Sequence, residues 1–406
     1  MARPRSRVSR VLMTGPLAPF ADKYGLELRE RGYTPLTTVN QLRQSARLSR
    51  WLETRRFTVA ELNGERVEQF LAFQRAGGRH RASWSRPGLL LLLGVLRGLG
   101  VVAAEVPAVS DSPTDALLAA FERFLLSERG LAAGTVRGYV GHARRFLVGL
   151  PAASGLAGWT AAQVTKAVLR ESATVSVSAT QFFVSGLRSF LRFCFMEGLA
   201  PVDLSQAALA ATGRRSSSVP RGITKADARA LLSCSDCRSP LGRRDHAMIV
   251  ILLRLGMRAN EVASLKVDDF DWRAGELVVR GKGGREDRLP LPTDVGAAIA
   301  SYLQRGRPAC DRREVFLRAR APFKPIAPGT VSSTVRRACR RAGVAEVGSH
   351  RLRHTVACEM VSAGVPLVQI GQVLRHRSLQ STAIYARADL DQLRRLARPW
   401  PGGVQR

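Results

Sequence analysis

Between residues 258 and 385 the sequence spaces out an arginine, a lysine, a histidine–arginine pair, another histidine and a tyrosine. Those residue types can transesterify a phosphodiester without a metal. Such a reaction needs a nucleophile, cations on the non-bridging oxygens, a proton acceptor, and an acid for the departing oxygen. Tyr385 is the candidate nucleophile; of five tyrosines, only Tyr302 and Tyr385 fall in this half. Arg258 stands just past a glycine turn in Leu255–Leu265, and Glu261, three residues on, would brace its guanidinium from a short helix. Lys282 lies within the glycine-rich turn Gly281–Gly284. His350 and Arg353 form a His-x-x-Arg pair, His376 follows, and Tyr385 comes nine residues later. His354 reads as structural. With 57 arginines in the chain, no single one means much; order and spacing carry the reading.

These residues need elements to hold them. Ala226–Leu232 and His246–Leu255 read as helices, and Glu276–Arg280 and Arg285–Leu291 as two strands joined by the glycine-rich turn. The helical pattern resumes at Thr330. Gly364 and Pro366 stop and restart it, and Leu367, Ile370 and Leu374 mark the next helical face. The expected catalytic part is therefore mostly helical with a small antiparallel sheet. Upstream, Phe182–Phe195 keeps a broad apolar face and reads as a core helix ending at Gly198.

The first 205 residues contain one unit written twice. Arg31-Gly32 recurs as Arg129-Gly130, Thr38-Val39 as Thr135-Val136, Val67 as Val164 and Gly100 as Gly198, at offsets of 98, 97, 97 and 98 residues. Ala211–Ile223, rich in Ser, Gly, Arg and Pro, reads as a linker. The expected division is an extra helical unit over 1–105, a second helical unit over 112–205, a basic linker over 206–222 and a catalytic domain over 223–406. The chain as a whole reads as mainly α.

Composition points to the partner. The formal net charge is +31, and both halves share it: 27 basic and 15 acidic residues up to residue 210, 36 and 17 after it. A positive field over the whole molecule favours a polyanion, nucleic acid above all. An anionic membrane surface fits less well, since no polybasic amphipathic helix is visible. Six scattered cysteines are too sparse for a disulfide framework, and Cys234-Ser-Asp-Cys237 has no second pair to complete a zinc site. Leu89–Leu93 is too short an apolar run to span a bilayer, and the arginine-rich start makes a poor signal peptide. A cytoplasmic protein is expected.

In order and spacing the site residues resemble the tyrosine recombinases, or phage integrase family, over Ile223–Arg398, with RLRHTVA (351–357) and STAIYA (381–386) the most specific runs. Ser112–Leu204 resembles that family's SAM-like core-binding domain, and 1–105 would then be an extra SAM-like unit for DNA binding or assembly. The resemblance implies that Arg258, Lys282, His350, Arg353, His376 and Tyr385 fill six catalytic places, with Glu261 in support. Tyr385 would form a 3′-phosphotyrosyl link, Arg258, Arg353 and His376 would hold the phosphate, Lys282 would protonate the leaving 5′ oxygen, and His350 would help take the tyrosine proton. Neither ATP nor a metal is implied, so no cofactor is expected. Expected partners are double-stranded DNA with inverted-repeat sites and further protomers, four managing two duplexes. The role implied is integration, excision or transposition of a mobile element. Two alternatives keep the fold: a catalytically silent accessory protein, and a strand-passing enzyme like a type IB topoisomerase. The chain departs from the family pattern at Arg375, which precedes His376 where glycine is usual.

Overall fold

The computed structural model describes residues 5–8, 11–77, 86–104, 112–150, 158–210, 222–281, 285–376, 382–383 and 385. The fold is mainly α with small antiparallel sheets, and it packs as two compact units. One comprises Met1–Ala103 with Ser218–Arg406, the other Ala104–Ser217. Among the described residues no helix is long and apolar enough to cross a membrane.

The first stretch opens with an antiparallel hairpin of β1 (Arg5–Val8) and β2 (Val11–Thr14). Four helices follow: α1 (Ala21–Glu30), α2 (Pro35–Thr54), α3 (Gly64–Ala76) and α4 (Arg86–Gly98). Local signals set their starts. The Thr34 side chain accepts the Thr37 N–H ahead of Pro35 at the first helical position, and Asn63 accepts the Arg66 N–H. Leu28, Leu42, Leu52, Phe70, Leu93 and Leu96 then meet in one apolar core.

Among its described residues the unit Ala104–Ser217 holds four more α-helices: α5 (Pro113–Ser127), α6 (Ala133–Val148), α7 (Ala161–Ser172) and α8 (Val177–Met196). Its core is aromatic: Phe121, Phe146, Phe183, Phe190 and Trp159 are buried together. The repeat seen in the sequence has a counterpart helix by helix. Gly32 and Gly130 follow the first helix of each set with φ of 79° and 54°, and Gly100 and Gly198 follow the fourth with φ of 71° and 68°. Left-handed backbone at a helix end is what glycine supplies at least cost. Val67 and Val164 are both fully buried on the third helix.

The C-terminal stretch contains α9 (Lys225–Ser233), α10 (Pro240–Leu255) and α11 (Ala259–Ser264). A sheet of order β3–β4–β5 follows, made by Phe270–Asp271, Glu276–Arg280 and Glu286–Pro290, with Arg280 opposite Glu286. Then come α12 (Thr293–Arg305), α13 (Pro328–Ala342), α14 (Ser349–Ser362) and α15 (Leu367–Val373). The central helix, α10, is buried from Ala247 to Leu252 on all sides, as a helix inside a bundle must be apolar all round. It starts at Pro240, six residues before the start expected from periodicity. Buried Arg244 and Asp245 mask that first turn in the sequence; they satisfy each other, Nη2 donating to Oδ1 at 2.9 Å. Lys282, in the β4–β5 turn, lies outside the described residues.

Candidate active site

The C-terminal end of α10 fixes the first cation. The helix stops at Gly256, which has φ of 56° and ψ of 29°, and the chain turns so that Arg258 becomes the N-cap of α11. Glu261, one helical turn on, closes back on it. Its carboxylate accepts the Arg258 backbone N–H at 2.8 Å and the Arg258 Nη1–H at 2.7 Å. The remaining Arg258 Nη2 donates to the carbonyl of Arg375 at 3.0 Å. The side chain stays 39% exposed, so the guanidinium is braced from within and accessible from without.

Arg353, on α14, is almost wholly buried. Its Nη1 donates to the Gly256 carbonyl at 2.6 Å and its Nη2 to the carbonyl of Leu374. Burial and the neighbouring Arg258 lower its pKa to about 10, which leaves it charged at neutral pH. Arg353 thus hangs on the turn after α10 and the turn after α15, and Arg258, itself in the first of these turns, on the second.

Three histidines and the tyrosine fill the space beside them. Tyr385 is buried and packs with Val356, Ala357, Val361, Ile370 and Leu374. Its hydroxyl lies 2.7 Å from Nδ1 of His354. His350, one turn earlier on α14, presents its ring edge-on to His354, with centroids 4.4 Å apart. The ring of His376 lies parallel to that of Tyr385, centroids 6.3 Å apart, and its Nδ1 is 2.7 Å from the Thr382 hydroxyl. Burial, His350 and two nearby arginines lower the His354 pKa to about 4. Burial, Arg353, Arg258 and the other two histidines lower His376 to about 4 as well. His350 is exposed on its outer side, yet desolvation by its neighbours, with Arg353 and Arg258, lowers its pKa too. All three rings are therefore neutral at pH 7, each with one donor and one acceptor nitrogen. Burial raises the Tyr385 pKa, with Arg353 opposing, so its hydroxyl is protonated at rest.

The structure thus brings together five of the six expected catalytic residues, Arg258, His350, Arg353, His376 and Tyr385, with Glu261 bracing Arg258. The sixth, Lys282, is not among the described residues. Two residues outside the expected set also join the cluster. His354, which reads as structural from the sequence, is the imidazole that touches the tyrosine; its position four residues after His350 puts both rings on one helix face. Arg375 registered only as a departure from glycine. It takes φ of 54°, and its buried Nη2 donates to Glu261 Oε2 at 2.8 Å. Glu261 is thereby shared by two guanidiniums. Burial alone would raise its pKa, but Arg375 and Arg258 together hold the carboxyl below its usual range.

The arrangement can bind an anion at the exposed edge of Arg258, with the charge of Arg353 behind it, and bring a phenol and neutral imidazoles to bear on it. Comparison with known proteins agrees. Residues 221–391 match the model described as Phage integrase family. The integrase/recombinase y4rA of Sinorhizobium fredii is 39% identical over 400 residues, covering 96% of both chains. The tyrosine recombinase XerD of Listeria monocytogenes is 28% identical over 285 residues, covering 66% of this chain and 93% of that one. A solved lambda integrase dimer bound to a COC′ core site shares the fold, with a TM-score of 0.53 at 20% identity over 72% of this chain and 99% of that one.

Proposed function

Since the chain belongs to the phage integrase family of tyrosine recombinases, we propose that it cleaves and rejoins duplex DNA through a 3′-phosphotyrosyl bond at Tyr385, to integrate, excise or transpose a mobile element. The observation that carries this reading is the Tyr385 hydroxyl held 2.7 Å from a neutral imidazole beside two backbone-anchored guanidiniums.

In the reaction, the Tyr385 oxygen attacks the scissile phosphorus while the P–O5′ bond breaks. The tyrosine proton passes to the histidine pair on α14, with His354 the ring in contact and His350 behind it. Arg258 and Arg353 hold the non-bridging oxygens, where a planar fork suits phosphate better than an ammonium would. His376 Nδ1 pairs with the Thr382 hydroxyl, and the tautomer in which it accepts there offers Nε2–H to the phosphate. Lys282 delivers a proton to the leaving 5′ oxygen. The bond energy stays in the phosphotyrosine, and a 5′-hydroxyl from another strand reverses each step. Four protomers on two duplexes would exchange strands at inverted-repeat sites. Residues 112–205 serve as the core-binding domain, 206–222 as a basic linker and 223–406 as the catalytic domain, with 1–105 an added helical unit.

Duplexes made from the DNA on either side of the gene, nicked near candidate cleavage points, test this. The full chain should form a gel-stable adduct with the strand's 3′ end, and Tyr385→Phe should bind the same duplex without forming one. An adduct of normal yield from the Phe variant would overturn the nucleophile. Binding without any adduct from the unaltered chain would favour an accessory protein, and relaxation of plasmid lacking those ends a strand-passing enzyme.

A further inference from the structure

We infer that Arg375 is a positioning residue for DNA cleavage, one that sets the guanidiniums of Arg258 and Arg353 through the turn it occupies and the carboxylate it shares with Arg258. The inference rests on the reading of Tyr385 and the two arginines as a transesterification site.

The first observation is backbone geometry. Arg353 donates to the carbonyl of Leu374 and Arg258 to the carbonyl of Arg375. Those carbonyls belong to the peptide planes on either side of the Arg375 Cα. The φ and ψ of that one residue therefore fix the angle between the two acceptors, and with it the relative placement of the two cations. The φ observed, 54°, lies in the left-handed region, which a long side chain enters only when its surroundings hold it there.

The second observation supplies the holding force. The Arg375 side chain is buried, with Nη2 on Glu261 Oε2 at 2.8 Å and Nη1 on the Val373 carbonyl at 3.1 Å. The same Oε2 accepts the Arg258 backbone N–H, and Oε1 accepts Arg258 Nη1. Glu261 is 4% exposed, so its two cationic partners interact with little screening by water. Pulling Arg375 inward locks the turn. The turn then presents its carbonyls, and the carboxylate steadies the Arg258 fork. A glycine could adopt the same φ without strain, but it would bring no partner for Glu261 and nothing to hold the turn.

Two variants of the full chain separate this from a tolerated surface substitution. Arg375→Gly keeps the backbone option and removes the fork; Arg375→Ala removes the fork and keeps the strain. Each is assayed for cleavage of a nicked duplex with an ordinary scissile phosphate and with a methylphosphonate there, beside a thermal melt. Arg375→Gly should fold and bind DNA but cleave the phosphate on the order of 10- to 100-fold more slowly than the unaltered chain, the cost of misplaced catalytic groups. On the methylphosphonate, which lacks the charged oxygen served by the guanidiniums, the two should converge. Arg375→Ala should show the same pattern with at least as large a defect. Equal rates on the phosphate would overturn the inference. So would an equal lag on both substrates, since a general folding defect does not distinguish them. If the unaltered chain itself forms no adduct on the phosphate, the Tyr385 reading fails first and takes this inference with it.

Discussion

A phenol with a raised pKa is a poor nucleophile until a base removes its proton during attack. In this chain the neighbour is His354, whose Nδ1 stands 2.7 Å from the hydroxyl and whose own pKa is lowered to about 4. A weak base next to a reluctant acid keeps the tyrosine neutral at rest, so deprotonation belongs to the chemical step. Replacing His354 by Ala should slow adduct formation by about 10²-fold with little change in DNA binding, and His354→Gln, which accepts a hydrogen bond but cannot take the proton, should not rescue it. Unchanged single-turnover rates in both variants would return the role to His350 alone. The histidines also predict a pH dependence. His354 and His376 titrate near 4 when folded and near the ordinary 6.5 when unfolded, so the folded chain binds fewer protons between those values. Their stabilising contribution is complete above about 6.5 and is lost as pH falls toward 4. Melting temperature should drop across that window, and the drop should shrink in the variant His354→Gln/His376→Gln. A melting profile identical in the variant would show that other groups govern acid lability.

The site is assembled by the ends of elements rather than their middles. Arg258 caps α11, Arg353 and both α14 histidines sit on one helix, and the turns after α10 and α15 supply the carbonyls. That explains how much was legible beforehand. Residue type and order along the chain revealed Arg258, Glu261, His350, Arg353, His376 and Tyr385, and period and punctuation revealed the helices around them. What stayed hidden depends on three-dimensional partners. The first two turns of α10 carry Arg243, Arg244 and Asp245, which look solvent-facing until the buried Arg244–Asp245 pair is seen. The hairpin of β1 and β2 has too few residues and too little alternation to announce itself. Arg375 could be known as a departure, but not as a buried partner of Glu261. At this scale the β4–β5 hairpin is fastened by Arg280, paired to both Glu286 and Asp269, and Lys282 falls in the sequence between its two strands. A substrate with sulfur at the bridging 5′ position leaves without an acid. Lys282→Ala should therefore cleave the sulfur substrate far faster than the ordinary one, a gap the unaltered chain does not show. Equal slowing on both would remove Lys282 from the acid role.

At the scale of the whole molecule, the net charge of +31 is spread over both halves, and the first stretch has no evident part in the chemistry. Its four helices follow the same order as the four of the next unit, with glycines in left-handed backbone at matching helix ends. On α2, Arg43, Arg47 and Arg50 fall along one face, with Arg43 and Arg50 exposed. A cavity of about 750 Å³ beside them is lined by Arg47, Arg50, Arg55, Trp51 and Phe73, and its arginines suit contact with a phosphate backbone. A protein-assembly surface is the competing reading, and the two differ in their response to salt. Each phosphate neutralised on duplex DNA contributes roughly 0.9 to the slope of log affinity against log salt, because counterions are released. Truncating the stretch is a poor test, since Gly32 lies against the Phe323 ring and its loss would bare that face. Arg43→Gln with Arg50→Gln in the full chain leaves the core untouched. If α2 lies on DNA, this double variant should lower the slope by about 1.8 and shorten the protected footprint, while a nicked duplex limited to the cleavage core is still cut at the normal rate. An unchanged slope and footprint with loss of paired-duplex assembly would place a protein, not DNA, against α2.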